Sequence, residues 1–99
     1  MELKLDPAQP IAGMKFMLFV HLTPADGLEP YIGAWAHLLA VSNDLVDTIH
    51  EHPFIANGGP DMQFNIFFPR DAAYRVWIQF QRKGVVNTVA FTIPVSALR

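Results

Sequence analysis

Residues 48–53 read Thr-Ile-His-Glu-His-Pro, and the imidazoles of His50 and His52 are the densest chemistry in the chain. In an extended strand, residues two apart point to the same face and lie roughly 6.6 Å apart. Two neutral imidazoles so spaced can converge on one ion, at about 2.0–2.1 Å from each nitrogen for zinc. Thr48 shares their face, whereas Ile49 and Glu51 take the other. A tight site needs a third ligand from another strand, and His37 is the first candidate. Ser42-Asn43-Asp44 reads as a turn that folds the strand carrying His37 back onto the one carrying His50 and His52. Pairing about the centre of that turn sets His37 opposite His50, within a residue either way. Directly opposed residues share a face, with Cβ atoms about 4.5–5.5 Å apart. His21 lies on a different strand and is an additional candidate. Met14, Met17 and Met62 would join only around a soft ion such as Cu(I), which accepts thioether sulfur. The same residues also allow a plainer account, in which His-x-His is a strand end, His37 is bonded to backbone and the methionines fill the core.

Those strands belong to a chain of 99 residues, long enough for one domain with its own core, and we take 1–99 as a single domain. It is 52% hydrophobic and only 16% charged, which excludes disorder and a coiled coil. The net charge of −2 and the lack of a basic stripe argue against a nucleic-acid partner. Without cysteine there is no disulfide, no thiolate metal site and no cysteine nucleophile. No signal peptide is visible after Met1, and no apolar run is long enough for membrane insertion.

Eight prolines and six glycines fall mostly between apolar runs, the punctuation of an all-β chain. Seven strands are expected, at about 2–5, 14–22, 34–42, 47–52, 62–68, 73–81 and 85–95. Met14, Phe16, Leu18, Val20 and Leu22 alternate on one face of the second, and Met62, Phe64, Ile66 and Phe68 on one face of the fifth. Arg82-Lys83-Gly84 reads as a tight hairpin tip. Seven short strands at this spacing predict an immunoglobulin-like or cupredoxin-like, two-sheet antiparallel sandwich. Trp35 would open the third strand as a buried core residue. Asp71-Ala72-Ala73-Tyr74 has the form of a tyrosine corner, its aspartate one residue closer than usual.

The stretch EPYIGAWAHLLAVSNDLVDTIHEHP carries more as a whole. It resembles a family of small bacterial cell-envelope β-sandwich domains described as YtkA-like or cupredoxin-like. The shared elements are Pro30-Tyr31-Ile32-Gly33 with His37, Asp44-Leu45, and His50-Glu51-His52-Pro53. FNIFFPRDAAYRVWIQFQRKGVVNTVAFTIPV is similar to the family's ending, so the likeness runs from about Leu18 onwards. The chain departs from the pattern at Asp71-Ala72-Ala73, where a Pro-Gly commonly precedes the tyrosine, and at the bulky Ala34-Trp35-Ala36. The resemblance implies that His37, His50 and His52 form one set, that copper is the ion, and that the setting is periplasmic or secreted.

The expected function is therefore a metal-binding module, holding copper or failing that zinc, that carries or sequesters the ion in the cell envelope. Blue-copper electron transfer would need a thiolate, which is lacking. The alternative is a metal-free interaction module. Met17, Phe19, Phe67 and Trp77 sit opposite the core faces, and a homo-oligomer formed through that apolar sheet face would cover them. An enzyme is not expected. Glu51 faces away from the imidazoles, Asp61 lies across a glycine loop, and Ser42 and Ser96 lie in no nucleophile elbow.

Overall fold

The computed structural model describes residues 1–97, and every regular element among them is a β-strand. They are β1 (Glu2–Asp6), β2 (Lys15–His21), β3 (Leu28–Glu29), β4 (His37–Ser42), β5 (Thr48–Glu51), β6 (Asp61–Phe67), β7 (Ala72–Arg82) and β8 (Val85–Val95). Two antiparallel sheets form a sandwich-like arrangement, β1-β2-β6 facing a five-stranded sheet. In the larger sheet β7 is the hub: β8 pairs with its whole length, while β4 and then the short β3 pair with it as well. β5 closes the far side of β4.

Alternation decides which residues meet between the sheets. Phe16, Leu18 and Val20 of β2 stand opposite Ile66, Phe64 and Met62 of β6, and all six are buried. Leu38 and Ala40 of β4 and Tyr74, Val76 and Ile78 of β7 close the core from the other sheet. Each such fully buried aliphatic or phenyl group contributes about 1.5–3 kcal/mol by leaving water. The β7–β8 hairpin turns on Lys83 and Gly84, both at positive φ, so the two-residue loop matches the twist of its strands.

Three expectations need correction. An eighth strand, β3, forms between the second and third of the expected strands, because Leu28 and Glu29 extend the edge that β4 presents to β7. Trp35 does not open β4. It lies ahead of the strand and is only half-buried, because Tyr31–Ala34 closes into a tight turn that the chain must leave before it can extend. The β4–β5 register also differs, with Leu39 rather than His37 opposite His50. Ser42 is buried and belongs to the strand, and its backbone N–H donates to the Asp47 carbonyl at 3.0 Å. The loop therefore runs to Asp47, with Leu45 at φ 64° inside it, and the pairing shifts by two residues. A shift of two keeps every side chain on its face.

That loop is tied to β7 by polar contacts. The Arg70 guanidinium donates to Asp47 Oδ2 at 2.7 Å and to both Asp44 oxygens at 3.0 Å. The buried Tyr74 hydroxyl reaches Asp47 Oδ2 at 3.2 Å and the Arg70 carbonyl, four residues back, at 3.3 Å, the contact of a tyrosine corner. The Ser42 hydroxyl donates to Asp44 Oδ1 at 2.7 Å and, with the Val46 N–H and Arg70, holds the Asp44 carboxyl below the usual carboxylate range. A group whose pKa falls on folding stabilises above its unfolded pKa and loses that contribution as pH falls through its folded value. Asp44→Asn should therefore lower the melting temperature at pH 7 and flatten its decline as pH falls below the ordinary aspartate range. Parallel pH profiles of the two proteins would contradict this.

Candidate metal centre

Register fixes the rows of side chains on the outer face of the five-stranded sheet, and three of them surround the histidines. Thr48, Val41, Arg75 and Thr92 form one row, and His50, Leu39, Trp77 and Ala90 the next. His37, Gln79 and Thr88 form the third, which the β4–β5 pairing extends to His52 just beyond the end of β5. His50 and His52 project from one face of the chain before Pro53 ends the ladder, and His37 comes up beside them from β4. His37 is half-buried, and the other two are exposed.

One ring nitrogen from each of the three histidines lies within 4.8 Å of the others. The ring centroids are 5.6 Å apart for His37 and His50, 4.8 Å for His37 and His52, and 5.1 Å for His50 and His52. Nitrogens sharing one tetrahedral ion stand roughly 3.3 Å apart, so rotations of the two exposed rings would draw the set together on loading. Among the described residues this is the one group of three or more His, Cys, Asp or Glu side chains with ligand atoms so close.

His37 is also oriented from behind. Its Nε2 lies 2.6 Å from the Tyr31 carbonyl oxygen, which can only accept. The proton therefore sits on Nε2 and leaves the Nδ1 lone pair as the ligating site. Donation of the second ring N–H to a carbonyl is how metal-ligating histidines are held in tautomer and orientation. The Tyr31 ring also stands edge-on to His37, at 5.5 Å and 88°.

The carbonyl is aimed by a turn with a conformational cost. Tyr31 and Ala34 exchange backbone hydrogen bonds of 2.7 and 3.2 Å across Ile32 (φ 49°) and Gly33 (φ 79°). Glycine adopts such a φ freely, but a β-branched residue there is strained. Ile32 is 76% exposed, so packing offsets little of that strain. Ile32→Asn should raise the unfolding free energy by about 1 kcal/mol, read from the denaturant midpoint at unchanged slope. A lowered midpoint would show that the isoleucine side chain holds the turn in some other way.

Two hollows flank the histidines. One, of about 460 Å³, is walled by His37 and His50 together with Leu39, Val41, Trp77 and Gln79. The other, of about 270 Å³, lies on the loop side, with His52, Pro53, Phe54 and Trp35 in its wall. The bare Cα of Gly58 rests on the Trp35 ring, where a Cβ would approach to 2.8 Å.

The additional candidates belong elsewhere. His21 lies on β2 in the three-stranded sheet, its Nδ1 bound to Asp61 Oδ1 at 2.6 Å. Met62 is buried in the core, Met17 is on the outer face of β2, and Met14 precedes that strand. None of the four joins the cluster. What sequence reasoning missed was the Tyr31 carbonyl and the Leu39–Trp77 hollow. Gly33 signalled a turn, but a backbone acceptor has no side-chain signature, and the hollow depends on register.

No curated protein and no solved structure matches the chain. A family model described as a domain of unknown function, DUF8832, matches residues 1–97, and the chain belongs to that family.

Proposed function

We propose that this protein binds a divalent copper or zinc ion through His37, His50 and His52, and carries or sequesters it. The observation that supports this most is the convergence of three imidazole nitrogens within 4.8 Å, with His37 locked through Nε2 to the Tyr31 carbonyl. Imidazole suits both ions, and affinity alone favours Cu(II). The cluster contains no carboxylate to act as a general base, which favours holding an ion over catalysis. The cell-envelope setting rests on the YtkA-like resemblance alone.

The test is metal content after stripping with chelator, reloading with Cu(II) or Zn(II) and desalting. The native chain should retain one equivalent, and His50→Ala/His52→Ala should retain none. Equal retention by both, or none by either, would end the proposal. The second reading, a metal-free interaction module, is favoured by exposed apolar side chains. Phe67 is 61% exposed and Phe54 70%, whereas Met17, Phe19 and Trp77 are half-buried. It predicts self-association in size-exclusion chromatography that metal does not change.

A further inference from the structure

We infer that the ion held by the three histidines takes its fourth ligand from a small carboxylate whose apolar body lies along Leu39 and Trp77. This rests on the metal-binding reading above. Three neutral imidazoles bring no charge, and the cluster contains no Asp or Glu. A bound dication would keep both positive charges, in a site whose wall on the Leu39–Trp77 side is largely apolar. Metal charge of that size dominates local electrostatics, so the open position favours an anion. A metal with three protein ligands keeps that position for an exogenous group.

The hollow beside His37 and His50 supplies the rest of the site. Its volume of about 460 Å³ is that of a small-molecule pocket. Leu39 lies in register between His50 and Trp77, so the apolar surface starts beside a metal ligand. Gln79, in register with His37, donates from Nε2 to Thr88 Oγ1 at 3.1 Å. That pair walls the hollow, with Thr88 two strands away from His37. A carboxylate head therefore meets the cation, and an aromatic or branched aliphatic body meets Leu39, Val41 and Trp77. No covalent change is involved.

The experiment uses the full chain loaded with Co(II), whose visible absorption reports its ligands, and titrates benzoate, acetate and benzamide. Benzoate should bind about tenfold more tightly than acetate, through its buried ring, and benzamide should leave the band unchanged. Trp77→Ala should bring benzoate to within about threefold of acetate with cobalt retention unchanged. Leu39→Thr, at a position 38% exposed, gives the same comparison if the tryptophan variant does not fold. Retained cobalt with equal benzoate and acetate affinities, or a preference that survives both substitutions, would overturn the inference and leave the metal site standing. Failure to retain cobalt would overturn the inference, and failure to retain Cu(II) or Zn(II) as well would overturn the metal site.

Discussion

His37→Ala should strip the protein of tightly held metal while leaving the apo fold nearly as stable as before. The ring lies on the outer face, half-buried, and the Tyr31 carbonyl it leaves still accepts the Ala34 N–H at 3.2 Å. The lost hydrogen bond is therefore worth about 1 kcal/mol or less. The metal effect is much larger. An ion that binds only the folded state, at a free concentration a thousandfold above its Kd, stabilises by roughly 4 kcal/mol. For a domain of this size that is roughly 15–30 °C in melting temperature. The native chain should show that shift with Zn(II), and His37→Ala should lose most of it. His21→Ala, in the other sheet, should keep it. Equal zinc shifts in the native chain and His37→Ala would rule out the three-histidine site.

Much of the fold was legible because the core is written in two-residue alternation. Phe16-Leu18-Val20 and Met62-Phe64-Ile66 point inward as a period-two pattern dictates, and β8 spans the residues expected for it. What was not legible depended on backbone conformation that composition only hints at. Ile32 at positive φ helps to close the Tyr31–Ala34 turn, which delays the strand expected from Ala34, and β-branching argues against that conformation. β3 has two residues, too few for any period.

The candidate site shows a different division. His50 and His52 share a face by parity, and His37 joins them because the observed register differs from the expected one by two residues rather than one. Which of them stand opposite one another was not legible, because Ser42 serves as a strand residue whose hydroxyl accepts the Val46 and Asp47 N–H groups. Serine suits a turn and the end of a strand alike. The Tyr31 acceptor could not be anticipated from residue types, since any residue there offers the same carbonyl.

Phe64→Ala should bring the apo protein close to unfolding, and zinc should restore it. Phe64 is fully buried on β6 opposite Leu18, and its truncation leaves a cavity costing about 3–5 kcal/mol. Small domains hold only about 5–15 kcal/mol in total. The histidines lie on the outer face of the other sheet, so the binding increment of roughly 4 kcal/mol should remain available to the variant. Phe67 provides the internal control, with the same side chain on the same strand but 61% exposed. Phe67→Ala should change stability by no more than about 0.5 kcal/mol if that face meets only water. A loss comparable to that of Phe64→Ala, growing with protein concentration, would instead mean that a second copy covers Phe67. Comparing the two phenylalanines therefore separates a monomeric metal carrier from a self-associating module without reference to the metal.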